Sequence, residues 1–269
     1  MSCDAYSDLW EPFFKLLERH WADQPFPVYL GAGEKSCTES YVTMLRSKAG
    51  RDWAQCMIDY LEQIPQRYVL LILDDFFLRK TVDTAKVMKC LAFAQQQHAI
   101  HVRLAPRPRP TRKIDGNSLI GECEAGSPYR LCAQAAIWDK QRLLSLVRPG
   151  ESIWDFEHNG NKRAEMLQTG FYSVWKPALP YEGAFAHHVI EKGKWFPHEK
   201  WVFGRQDIGC DFTRRGILPW HQVLFYQGAQ LIEILLDVFP WRQKKRLKSG
   251  LKYILQPLFS KQFKRMHAG

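Results

Sequence analysis

The chain has 269 residues, 46% hydrophobic and 13% aromatic, which is enough to bury one large core and too apolar for a disordered protein. Its net charge of +10 is concentrated: nine basic residues and no acidic one lie between Trp241 and Gly269, leaving +1 for residues 1–240, so the body lacks the basic face of a nucleic-acid binder. Seven cysteines without a CxxC spacing argue for reduced thiols in the cytosol rather than a disulfide framework or a structural zinc site. The start MSCDAYSDLWEPFF lacks the basic and apolar regions of a signal peptide, and no stretch reaches the roughly 18 apolar residues of a membrane span. The expected location is cytoplasmic.

In chain order, Asp8 can cap a helix running to about Trp21, with Leu9, Phe13, Leu16 and Leu17 at helical spacing and Pro12 in the first turn. Pro27 to Gly31 reads as a strand, and a polar loop follows. Asp52 can cap a helix to Ile64, closed by Pro65. The run Tyr68 to Leu78, YVLLILDDFFL, then carries five aliphatic residues into two adjacent carboxylates, Asp74 and Asp75. It reads as a central strand of a parallel sheet covered on both faces, and ligands of open α/β sheets bind beyond the carboxyl ends of such strands. Adjacent carboxylates raise each other's pKa unless a cation lies between them, and a hard divalent ion carrying a phosphorylated ligand is a natural occupant. The plainer alternative is that the pair only begins a loop and caps a turn.

Asp83 opens a helix to about Gln97, and residues 99–104 read as a strand. Helices alternating with short apolar strands imply right-handed crossovers and a mostly parallel, Rossmann-like sheet. PRPRPTRK (106–113) reads as an extended, exposed loop whose Arg107, Arg109, Arg112 and Lys113 could meet a phosphate. From Tyr129 the spacing predicts a strand, a turn near Trp138 and a helix begun by Asp139. Glu151, Asp155 and Glu157 then cluster around Trp154 and Phe156. Residues 171–220 read as irregular, and a hydrophobic helix is expected from about His221 to Phe239. In residues 241–269, Leu247, Leu251, Ile254, Leu255, Leu258 and Phe259 recur on one face between lysines. That pattern suits a basic amphipathic tail on an anionic membrane surface, or a tail that packs on the domain or a partner. The division is a body of 1–240 and a tail of 241–269.

GAGEKS at 31–36 follows a strand but lacks the GxxxxGK[ST] of a phosphate-cradling loop, and neither a GxSxG elbow nor an HExxH helix occurs. Asp155 and Glu157 lie two apart, so on a helix only one can face a given site. Bulky Trp154 and Phe156 could desolvate that one and suit it to general-base work, the alternative being acids that favour a helix N-terminus. His187 and His188 are adjacent, and either could complete a metal site or serve a structural role.

Taken together, CDAYSDLW (3–10), YVLLILDDFFL (68–78), AQAAIWDK (133–140) and ESIWDFE (151–157) resemble bacterial glycosyltransferases of the GT-A type encoded with capsule, O-antigen or other surface-polysaccharide genes. The resemblance covers residues 3 to about 200 and rests on the order of four blocks. It implies transfer of a sugar from a nucleotide-sugar donor to a saccharide or lipid-linked acceptor. The basic tail would hold the chain at the inner face of the cell membrane, and because the basic charge is confined to that tail, nucleic acid is not expected as a partner. Asp74 and Asp75 would hold the diphosphate through manganese or magnesium, with His187 as a further metal ligand, although the family's usual spelling is Asp-x-Asp. Cys3, Asp4, Tyr6 and Asp8 would flank the base and ribose, and Gln134 and Trp138 would wall the donor sugar and acceptor. Glu157, or else Asp155, would take the acceptor's proton in an inverting displacement. In GT-A folds a first strand precedes the base-contacting segment; here that strand would be a stub, or the chain N-terminally shortened. A metal-dependent nucleic-acid enzyme and a non-catalytic membrane-associated protein with a transferase fold are the competing readings.

Overall fold

A computed structural model describes residues 1–181, 183 and 188–224, with positions 228, 243 and 247 beyond them. The chain divides into two compact units, Met1–Val223 and Leu224–Gly269. Apart from 243 and 247, the tail expected at 241–269 lies outside the described residues, and so, apart from 228, does the predicted helix beyond Leu224.

The first unit is a mixed α/β domain. A short 3-10 helix (Asp4–Leu9) runs into α1 (Trp10–His20), followed by β1 (Val28–Ala32), β2 (Val42–Arg46), α2 (Trp53–Gln63) and β3 (Tyr68–Leu71). Then come α3 (Thr84–Gln96), β4 (His101–Arg103), β5 (Arg112–Ile114), β6 (Asn117–Glu122), β7 (Ala136–Asp139), α4 (Lys140–Leu146) and α5 (Ile153–Glu165). β8 (Phe171–Val174), the small hairpin β9 (Ile190–Glu191) and β10 (Lys194–Trp195), and α6 (Pro197–Phe203) complete it. Four helices begin where a side chain satisfies an orphan amide: Asp52, Asp83, Asp139 and Ser152 each accept from the N–H three residues on.

The central sheet has the order β3-β7-β4-β8-β6-β5. Only β4 and β8 run parallel within it; the pairs β3/β7, β4/β7, β6/β8 and β5/β6 are antiparallel. The expected mostly parallel sheet is therefore corrected to a mixed one. A strand buried on both faces is continuously apolar whichever way its neighbour runs, so the apolar runs at 68–73 and 99–104 carried no information on direction. Two further expectations change. PRPRPTRK is not a loop throughout, since Arg112 to Ile114 pair with β6 and Arg112 is bound to Glu122. The stretch 171–220 holds β8 at the heart of the sheet.

Side chains alternate across the sheet into two layers. Tyr68, Leu70, Ile137 and Val102 pack with α1 and α3, whereas Val69, Leu71, Trp138 and Phe171 pack with α2, α4 and α5. β1 and β2 form a separate parallel pair that keeps the same alternation, Leu30 with the first layer and Tyr29 with the second. A third cluster, including Leu16, Phe77, Trp195 and Phe203, packs α6 and the β9/β10 hairpin onto α1 and the chain that follows β3.

Candidate functional site

β3 ends at Leu71, sooner than the predicted strand, and Asp74 and Asp75 occupy the turn beyond it, where the Phe76 amide donates to the Leu73 carbonyl at 3.2 Å. The chain start lies against them. The Ser2 hydroxyl donates to Asp74 Oδ2 and accepts from Trp10 Nε1 at 2.6 Å, while the Met1 ammonium donates to Ile72 O at 2.8 Å. Burial and the neighbouring charge of Asp75 push the Asp74 carboxyl well above the usual aspartate range, against the Ser2 hydrogen bond. Burial likewise raises Asp75 to about 6, with the charge of His188 opposing. Asp75 Oδ1 is buried and has no hydrogen-bond partner among the described residues, an expensive condition unless a ligand supplies one.

The side chains that could answer these acids come from the β9/β10 region and from the loop beyond α6. His188 Nε2 lies 3.0 Å from Glu191 Oε2, and the Val189 amide donates to Asp75 O at 2.9 Å. Burial pulls the His188 pKa down, but the Glu191 hydrogen bond and the charges of Asp75, Glu191 and Glu199 outweigh it and leave the imidazole above its ordinary value. Arg215 makes a two-pronged pair with Asp8, Nε to Oδ2 at 2.7 Å and a terminal nitrogen to Oδ1 at 2.6 Å. Its guanidinium sits 4.1 Å over the Tyr6 ring and within electrostatic reach of Asp74. Sequence reasoning missed Met1, Ser2, Glu191 and Arg215. The only signal for Arg215 was the adjacent Arg214 and Arg215 in a segment without periodicity, and no spacing rule links position 215 to position 8.

The 3-10 helix lies beside the acids, and two of its carboxylates have protein partners. Asp4 accepts the amides of Glu34 at 2.8 Å and Lys35 at 3.3 Å, which holds its carboxyl below the usual range. Asp8 is taken by Arg215. Tyr6 and Cys3 face the Asp74 charge, and burial raises both above their ordinary values.

The remaining candidates separate. Trp138 is fully buried in β7, its ring 4.3 Å from His101 and 6.4 Å from Phe156. It belongs to the core, which corrects its expected place on the wall of a donor site, and the predicted turn there is a strand. Asp155 is corrected too: it closes a capping box with Ser152, accepting from that residue's amide at 3.1 Å and hydroxyl at 2.6 Å. Those bonds lower its pKa, the opposite of what a general base needs. Glu151 is bound by Arg163 at 2.7 and 2.8 Å. Trp154 is 74% exposed and desolvates nothing.

Glu157 differs from these. Its Oε1 accepts the Ala133 amide at 2.7 Å, and burial raises its pKa against that bond and the charge of Arg103. In the β3/β7 register Leu71 lies opposite Ala136, so the chain at 133–135 continues along the edge where 72–74 leave the sheet. Gln134 lies on that chain with Oε1 buried and, among the described residues, without a hydrogen-bond partner. His187 lies outside the described residues.

Among the described residues, no group of three or more His, Cys, Asp or Glu side chains is placed to hold a metal ion, and no helix is long and apolar enough to cross a membrane. The donor chemistry at Asp74 and Asp75, two hard carboxylates with one oxygen free among the described residues, fits a magnesium-like or manganese-like ion that takes its other ligands from water and phosphate. Compared with known proteins, the chain matches no family model and no curated protein.

Proposed function

We propose that the chain is a GT-A-type glycosyltransferase that moves a sugar from a nucleotide-sugar donor to a saccharide or lipid-linked acceptor in surface-polysaccharide synthesis. The observation that carries this reading is the desolvated acid pair at the β3 tip, with Asp75 Oδ1 unpartnered among the described residues and His188 and Arg215 close by. Such a grouping suits a ligand that brings both negative oxygens and a cation. Asp74 and Asp75 would hold the divalent ion, which when bound neutralises charge on the departing diphosphate. His188 and Arg215 add positive charge, and Tyr6 offers a ring to the base.

Glu157 is the base in this scheme. It accepts the proton of the acceptor hydroxyl as that oxygen bonds to the anomeric carbon, and the bond from that carbon to the diphosphate breaks with inversion. Its raised pKa brings a carboxylate closer to the value that favours proton transfer near neutrality. Purified protein given donor and acceptor should release nucleoside diphosphate only when both are present; no release from any donor in a broad panel would sink the assignment.

The tail at 241–269 supplies the location in this scheme. Nine basic residues beside an apolar face suit the anionic inner leaflet, at about 1 kcal/mol for each residue near the surface. Full-length protein should sediment with anionic vesicles at 0.1 M salt and release at 1 M, where the Debye length falls from about 10 Å to about 3 Å. Vesicle binding unchanged by salt, or absent at both concentrations, would remove the tail from the scheme.

A further inference from the structure

The sheet edge that carries the acid pair extends past it. Leu71 of β3 and Arg103 of β4 both lie opposite Ala136 of β7, so the two strands run the same way and end level with each other. The chain after β4, Pro106 to Pro110, therefore leaves the sheet on the same edge as Asp74 and Asp75, two strand spacings or roughly 10 Å away. Between them run Gln134 and Ala133, whose amide binds Glu157.

A buried charge holds this loop. Arg103 is 0% exposed, and its guanidinium is bonded to neutral acceptors: Nη2 donates to Pro108 O at 2.7 Å, Nη1 to Tyr129 O at 2.9 Å and Nε to Ser173 Oγ at 3.2 Å. Nη1 also lies 3.5 Å from the sulfur of Cys132, one residue before Ala133, and the charge reaches Glu157. Burying a guanidinium among neutral partners is costly. Here it draws two loops, at Pro108 and at Tyr129, around the Glu157 carboxylate. Pro110 fixes the first loop from below, packed so closely that a Cβ on Gly121 would lie 2.7 Å from both Pro110 Cβ and the Trp175 ring.

The two loops carry groups that suit one kind of ligand. Arg107 and Arg109 flank Pro108 and are exposed. The nearby acids Glu122 and Glu124 act on Arg112 instead, and among the described residues Arg109 pairs with no carboxylate. Tyr129 is 57% exposed and has a φ of 49°. That left-handed backbone is uncommon for a bulky residue and persists where the surroundings enforce it, here through the Arg103 bond to its carbonyl. An exposed tyrosine ring offers an apolar face and a polar tip, which suits the C–H face of a sugar. A guanidinium fork matches the paired oxygens of a carboxylate or phosphate.

We propose that Tyr129, Arg107 and Arg109 form the acceptor subsite of the transferase, and that the acceptor sugar it takes is anionic, bearing a carboxylate or a phosphate. The ring packs on the sugar, the arginines pair with its charge, and the hydroxyl to be glycosylated faces Glu157. This subsite presupposes the transferase reading, but binding alone detects it.

The test titrates full-length protein with tetragalacturonate and glucose 6-phosphate, and with neutral maltotetraose and glucose. At least one acidic sugar should bind about tenfold tighter than its neutral counterpart, and which one does so separates carboxylate from phosphate. Arg107→Gln with Arg109→Gln should abolish that preference and leave neutral binding and Tm unchanged, Arg109→Gln alone serving if the double variant does not fold. Tyr129→Leu should weaken acidic and neutral sugars alike. No preference in the wild type overturns the proposal, as does a preference that survives loss of both arginines, which would place the acids on the lysines of the tail. Inorganic phosphate binding as tightly as the acidic sugars, or oligothymidylate binding more tightly, also overturns it. The substitutions leave the acid pair intact, so a subsite that fails while a nucleoside diphosphate still binds leaves the transferase reading standing. Sugar preference without any nucleoside diphosphate binding sinks that reading and keeps the anionic-sugar site.

Discussion

Replacing Asp75 with Asn should abolish sugar transfer and, at pH 8, make the protein more stable. The carboxyl titrates near 6 in the folded chain, against about 3.9 in an unfolded one. The folded state therefore holds its proton to higher pH, and stability falls as pH rises from about 4 through 6 because the charge must form where burial disfavours it. Above that window the penalty is fully present, and Asn removes it. Two pKa units correspond to about 2.7 kcal/mol, and because the residue is only half-buried we expect on the order of 1–2 kcal/mol. At pH 4 both side chains are neutral and the difference should vanish. Denaturant unfolding at pH 4 and pH 8, beside a transfer assay, checks both halves. A variant that transfers sugar normally, or is destabilised at both pH values, would show Asp75 to be a structural residue.

Glu157→Gln should lower turnover by about 10²–10⁴, the range for loss of a general base, while donor binding persists. The amide keeps an oxygen able to accept from the Ala133 N–H, so the local fold should survive. Asp155→Ala provides the contrast: loss of a capping box costs about 1 kcal/mol of stability and should leave turnover near wild type. Interchange of these two profiles would move the base to Asp155, against the capping geometry.

What the sequence disclosed follows the range of the interactions involved. Asp52, Asp83 and Asp139 were readable as helix caps because a cap acts within three residues. The Ser152/Asp155 box was legible in the same way, yet the acid cluster around Trp154 drew attention toward catalysis. Asp74 and Asp75 stood out because an apolar run ended in charge, and their desolvation follows from that burial. Strand direction was not legible, nor was the β5/β6 hairpin hidden by the prolines at 106–110. Trp138 looked like a pocket wall because an aromatic beside polar residues reads the same in a core strand. Arg215 and Ser2 come to the acids only through tertiary packing, across separations that no local pattern spans.

The most direct measurement on the central claim is thermal unfolding of the purified chain at pH 8 with nucleoside diphosphates and nucleotide sugars, each with and without manganese or magnesium. A ligand at 100 times its Kd adds about 2.7 kcal/mol to stability. The account predicts that one nucleoside diphosphate stabilises the wild type, more with the divalent ion than without it, and that Asp75→Asn loses the ion-dependent part. Stabilisation by single-stranded or duplex nucleic acid instead, or no response to any nucleoside diphosphate with either ion, would contradict it.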